Sequence, residues 1–99
     1  MKILKIDGKK VDDIDKIIDQ VGDQVAPGEK LDHNMDSFSD LLKGGKITKD
    51  GEAVDIVWEH AEDSQRNLGE DKFQKIVEVI RDHGPEGKQS GDNVHLYFT

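Results

Sequence analysis

Ala53-Val54-Asp55-Ile56-Val57-Trp58 is the stretch on which the fold turns. Val54, Ile56 and Val57 supply the β-branched bulk that suits a strand, with Asp55 interrupting the run. Two further strand-like stretches stand near the ends of the chain. Ile3, Leu4 and Ile6 form one, closed by the Asp7-Gly8 turn, and Val94-His95-Leu96-Tyr97-Phe98 forms the other. Between them the apolar spacing changes to a helical period. Ile14, Ile17, Ile18 and Val21, with Val25 a turn later, predict a helix capped by Asp12 or Asp13. Gly22 weakens that helix near its end, and Pro27-Gly28 punctuates the chain.

A second helix is predicted in Asn34-Met35-Asp36-Ser37-Phe38-Ser39-Asp40-Leu41-Leu42, with Asn34 as its cap and Gly44-Gly45 as its left-handed stop. Lys43 falls in its last turn, where the helix dipole favours a cation. After the central strand, Ala61 to Arg66 predicts a polar helical turn or two. Phe73, Ile76, Val77 and Ile80, at i, i+3, i+4 and i+7, predict an amphipathic helix. Glu70 and Asp71 at its start and Arg81 and His83 near its end suit the dipole, Gly84-Pro85 closes it, and Glu86 to Asp92 follows as a polar loop. The order is β-α-α-β-α-α-β. Strands separated by helical segments need crossovers, so the expected fold is α/β: a three-stranded parallel sheet packed with about four helices on at least one face. Residues 1–99 are expected to form one domain.

Of the 99 residues 33% are hydrophobic and 36% charged, with 22 acidic against 14 basic side chains and a formal charge of -8. The periodicity of so lean an apolar set argues against disorder. The negative excess disfavours direct contact with nucleic acid or an anionic membrane, and favours either a cationic partner or simple solubility. There is no cysteine, which excludes disulfide and thiolate chemistry and fits a reducing compartment. The charged start Met1-Lys2-Ile3-Leu4-Lys5-Ile6-Asp7 does not read as a signal peptide, and no apolar run has the length of a membrane span. A cytoplasmic location is expected.

The acidic helix is the strongest functional feature. Met35, Phe38, Leu41 and Leu42 form one stripe, while Asp36 and Asp40, four apart, share another face, and Asp32 extends that row just before the helix. Such a helix buries one side and offers carboxylates to a positively charged cleft. Asp32, Asn34, Asp36 and Asp40 also imitate the start of a calcium loop. The sixth place is Ser37 instead of glycine and the twelfth is Lys43 instead of glutamate, so that reading fails. Gly44-Gly45-Lys46 fails as a phosphate loop, because Ile47 stands where a hydroxyl must reach magnesium. His33, His60, His83 and His95 show no metal-ligand spacing. Ser37, Ser39, Ser64 and Ser90 lie in no nucleophile elbow. Trp58 is expected to be a core anchor. No cofactor, metal or catalytic residue is predicted.

Two motif blocks carry a resemblance to the barstar family of ribonuclease inhibitors. The first is Asn34-x-Asp36-Ser37-Phe38-x-Asp40-x-Leu42-x-Gly44, similar to the start of the family's inhibitory helix. The second is Val54-x-Ile56-Val57-Trp58-Glu59 with Ser64 and Leu68-Gly69 after it, similar to the central strand and the segment that follows. Ile3-x-x-Ile6-Asp7-Gly8 fits the family's first strand and turn, so the resemblance spans nearly the whole chain.

The resemblance implies a monomer that plugs the active site of a basic ribonuclease toxin one to one, its carboxylates taking the places of RNA phosphates. Asp40 would be the central mimic, Asp36 its neighbour, with Asp32 and Leu31 in or beside the preceding loop. Ser39 would lie within the contact surface, Lys43 and Gly44 at the end of the helix, and Asp82 in a peripheral pair. The chain departs from the family where an aromatic pair and a glycine usually precede the asparagine, where tryptophan commonly precedes the second aspartate (here Ser39), and at Gly45. Losing these anchors while keeping the acids implies a different target, such as a toxin delivered by a rival cell, and an immunity protein acting inside its producer. The alternative is an acidic binding module for a basic protein that is not a nuclease.

Overall fold

The computed structural model describes residues 2–43, 47–48 and 52–99. Strands β1 (Lys2–Asp7), β2 (Val54–Glu59) and β3 (Val94–Phe98) form one sheet in the order β1-β2-β3, both pairs parallel. Four α-helices occur among the described residues: α1 (Ile14–Val25), α2 (Met35–Leu41), α3 (Ala61–Leu68) and α4 (Glu70–Asp82). The expected β-α-α-β-α-α-β order is the observed one. Short 3₁₀ turns at Gly8–Lys10 and Ser90–Asp92 add detail to the predicted turn after β1 and the loop before β3.

The period of two along the strands decides which face is covered. Leu4, Ile6, Val54, Ile56, Trp58 and Val94 are buried on one face. Register places Leu4 beside Ile56, and Ile6 beside Trp58. Asp55 does not break this pattern, because it points to the other face with Ile3 and His95, its partners in register. The helices lie against the apolar face: α1 packs on β1, α4 on β3, and α2 bridges α1 and α4. Ile17, Ile18, Val21, Phe38, Leu41, Leu42, Ile76, Val77 and Ile80 complete one continuous core.

Trp58 is the core anchor the sequence predicts, with no exposed surface. Its ring meets Phe73 at 5.2 Å and Phe98 at 6.1 Å between centroids. Burial of an indole N–H requires an acceptor. Trp58 Nε1 donates to Ser64 Oγ at 2.9 Å, and the Ser64 hydroxyl donates to the Gly8 carbonyl at 2.9 Å. This chain ties β2, α3 and the turn after β1 together. Gly8 is required at that junction, because a Cβ would collide with the backbone carbonyls of Glu59 and His60.

The free side of β1 is closed by two amides from α1. Gln24 Oε1 accepts from the Lys5 N–H at 3.0 Å while its Nε2 donates to the Lys5 carbonyl at 2.8 Å. Gln20, one turn earlier, does the same at Asp7, at 2.6 and 3.2 Å. Each glutamine thus substitutes for a neighbouring strand and blunts an edge that would otherwise invite pairing.

Of the two caps expected for α1, Asp13 is the one used, accepting from the Ile14 N–H at 2.8 Å. Two other boundaries differ from expectation. The predicted stop at Gly44-Gly45 lies outside the described residues, and α2 ends earlier, at Leu41, with Leu42 as its cap. Bonds from Leu42 N–H to the Ser39 carbonyl and from Lys43 N–H to the Asp40 carbonyl tighten the last turn and satisfy carbonyls there. The polar turn predicted from Ala61 reaches Leu68, because Ala61, Ser64 and Leu68 form a buried stripe.

Candidate protein-binding site

The orientation of α2 follows from its sequence. Asn34 Oδ1 accepts from the Ser37 N–H at 2.8 Å, a side-chain cap that starts the helix. Phe38 and Leu41 are buried. With about 100° between successive residues, Asp36 and Asp40 then fall opposite these anchors. Both carboxylates are exposed. Ser37 and Ser39 lie on the two flanks and are half-buried. Lys43 Nζ stands 3.1 Å from Asp40 Oδ1, a surface pair of the kind worth only about 0–1 kcal/mol.

On the Ser37 flank, Leu31, Asp32, Asp40 and Leu41 line a surface depression of about 400 Å³ between the end of α1, the loop after it and α2. Leu31 enters the helical layer at Gly22, where a Cβ would overlap its Cδ1. The glycine expected only to weaken α1 is therefore the notch that seats the loop. His33 fastens the same loop from outside: its Nε2 lies 2.9 Å from Asp19 Oδ1, and Nδ1 lies 3.9 Å from Asp15 Oδ2. The hydrogen bond to Asp19, with the nearby charges of Asp15, Asp19 and Asp32, raises the His33 pKa above its ordinary value.

On the Ser39 flank the structure assembles a constellation that no sequence spacing announced. Ser39 Oγ lies 2.8 Å from His83 Nε2, and His83 Nδ1 lies 2.6 Å from Asp92 Oδ2. His83 has no exposed surface, and the Asp92 side chain is 21% exposed. These are the side chains of a serine-hydrolase triad. Ser39, however, stands inside α2, where its backbone N–H belongs to the helical ladder and offers no oxyanion donor. Through His83 the Ser39 hydroxyl links α2 to the end of α4.

Asp82 stands at the end of α4, its Oδ1 accepting from the Lys88 N–H at 3.0 Å and its Oδ2 from Gln89 Nε2 at 3.3 Å. The Lys88 and Gln89 hydrogen bonds depress its pKa. With Met35 it lines a second depression between α2 and α4, so it borders the acidic helix from the Ser39 side. Thus Leu31, Asp32 and Asp40 share one depression, Asp36 stands one turn before Asp40, Ser39 turns toward His83, and Asp82 lies across the second depression. Gly44 is outside the described residues. No group of three or more metal-binding side chains occurs among the described residues. No helix of theirs is long and apolar enough to cross a membrane.

The architecture is that of a small α/β domain with a parallel sheet and an outward-facing acidic helix. The chain belongs to the barstar family: the family model described as barstar (barnase inhibitor) matches residues 1–99. At the level of the family the function is inhibition of a barnase-type ribonuclease, a protein partner, and members are inhibitors rather than enzymes. No curated protein matches the chain.

Proposed function

We propose that this chain is an immunity protein that inhibits a cytotoxic ribonuclease in the cytoplasm of a bacterial producer, as a monomer in a one-to-one complex. Asp40 is the central phosphate substitute in the toxin's basic active site, Asp36 is its neighbour, and Asp32 extends the acidic row. Leu31 supplies apolar contact beside them, Lys43 and the Gly44 that follows it in sequence complete the contact set, and Ser39 and Asp82 bound it toward α4. The observation that carries this reading is the placement of Asp36 and Asp40 on the side of α2 opposite Phe38 and Leu41.

A ribonuclease site gathers cations that hold phosphate and stabilise developing negative charge. A short helix locked into a core presents carboxylates there with little loss of freedom on binding. Opposite net charges speed encounter and make it sensitive to salt.

The test is rescue from toxicity. The chain, or its Asp36→Ala/Asp40→Ala variant, is co-expressed with ribonuclease toxins, including any encoded beside it. Wild type is expected to rescue growth. Each lost charge-assisted hydrogen bond costs about 1.5–3 kcal/mol, so each truncation is expected to weaken inhibition roughly 10- to 150-fold. Circular dichroism should show an intact fold. Rescue that survives the double substitution would move the interface off α2, and no rescue across the set would favour a non-nuclease basic partner.

A further inference from the structure

Burial of Phe38, Leu41 and Leu42 sets which side of α2 faces outward. Phe38, Leu41 and Leu42 are apolar, and packing of this kind is non-directional. The helix has only seven residues, too few to hold its own geometry without tertiary contacts. The Ser39–His83 hydrogen bond adds a directional contact on its flank, which refines the heading of its outer face.

The far end of that contact is firmly held. His83 caps α4, its backbone carbonyl accepting from the Val94 N–H at 3.0 Å, where β3 begins. Asp92 ends the 3₁₀ turn just before β3, and the following Asn93 adopts the left-handed conformation with φ 54°. The imidazole is therefore fixed by its own backbone and by Asp92. With Asp92 accepting from Nδ1–H, Nε2 faces the Ser39 hydroxyl, which donates to it when the ring is neutral and accepts from it when the ring is protonated. Ser39 immediately precedes Asp40, and projects about 60° around the helix from Asp36. A turn of the helix that broke this bond would swing both carboxylates.

We infer that His83, acting through Ser39, is a positioning residue for the inhibitory face: the chain Asp92–His83–Ser39 refines the rotation that core burial gives α2, and with it the direction of Asp36 and Asp40. The link to inhibition rests on the function proposed above, whereas the control of helix orientation does not.

The experiment measures residual dipolar couplings of backbone amides in the free protein, alongside dissociation from whichever ribonuclease the chain inhibits. Four proteins are compared: wild type, Ser39→Ala, Ser39→Thr and Ser64→Ala. Ser39→Ala removes the hydroxyl while raising helix propensity. Its α2 couplings are expected to shift together relative to those of β1, β2 and β3, and its complex to dissociate about tenfold faster, the effect of losing one hydrogen bond's worth of alignment. Ser39→Thr restores the hydroxyl and is expected to return both readouts toward wild type. Ser64→Ala is expected to lower the melting temperature and change neither.

Wild-type α2 couplings in Ser39→Ala would overturn the inference whatever any ribonuclease does. Shifted couplings with unchanged dissociation would overturn its link to inhibition. A wild-type chain that inhibits no ribonuclease would remove the functional reading while the couplings still decide the orientation. If Ser39→Ala failed to fold, His83→Gln would replace it under the same expectations.

Discussion

Ser64 and Ser39 each hydrogen-bond a ring that has no exposed surface, Trp58 in one case and His83 in the other. Ser64 is itself fully buried, and its partners belong to β2 and the turn after β1. Ser39 is half-buried on the flank of the acidic helix, and its chain runs outward to Asp92. Both chains meet the requirement that a buried polar group be bonded. The difference lies in what moves if they are cut. Around Ser64, three elements of the frame are already locked by the sheet register and the aromatic cluster. Around Ser39, a two-turn helix is held between α1 and α4 by apolar packing and by the Ser39–His83 hydrogen bond. The first chain is expected to govern stability and the second the heading of a surface.

Substitutions can separate the two roles. Trp58→Ala should have the largest effect, costing about 3–5 kcal/mol because a buried indole leaves a cavity beside Phe73 and Phe98. Urea denaturation would show it as a lowered midpoint, and a loss below about 1 kcal/mol would contradict the role given to this ring. Ser64→Ala should cost about 1–3 kcal/mol, since it strands the Trp58 N–H and removes the donor to Gly8. Binding measured well below the melting temperature should not change, and a weakened complex would erase the contrast with Ser39.

Asn34→Ala tests the boundary between frame and site. It removes the cap of α2 and should cost about 1 kcal/mol. Amide exchange should quicken in the first turn of α2 more than in α1, and uniform quickening would show that the cap serves the whole fold. The smallest effect belongs to His33. Its folded pKa is raised above the ordinary 6.5, so its stabilising tie to Asp19 is fully present below the unfolded value. That contribution is lost as pH rises through the folded pKa. NMR titration of the imidazole should give a midpoint above 6.5, and Asp19→Asn should lower it. An unchanged midpoint would show that the hydrogen bond does not hold the loop.

Much of the architecture could be read from residue order. Val54, Ile56 and Trp58 alternate with half-buried neighbours, and Ile14, Ile17, Ile18 and Val21 repeat at helical spacing, because burial on one face imposes these periods. The acidic row of α2 was legible for the same reason. The glutamines at 20 and 24 were not, since nothing in their spacing distinguishes an amide facing solvent from one facing a strand edge. Gly22 read as a weak point in α1 until the position of Leu31 gave it a use. Asp82, which the resemblance places in a peripheral pair, has its carboxylate engaged with the Lys88 backbone and the Gln89 side chain, which its spacing did not announce.

The sequence by itself determined the element order, the apolar faces, the cap of α2 and the outward side of Asp36 and Asp40. All of these depend on neighbours within a few residues and on the fixed geometry of helix and strand. Only the tertiary structure decided that Ser39 meets His83 across 44 positions and that His83 meets Asp92. Such contacts depend on how whole elements pack, and hydrogen bonds between distant side chains leave no periodic trace in the chain that makes them.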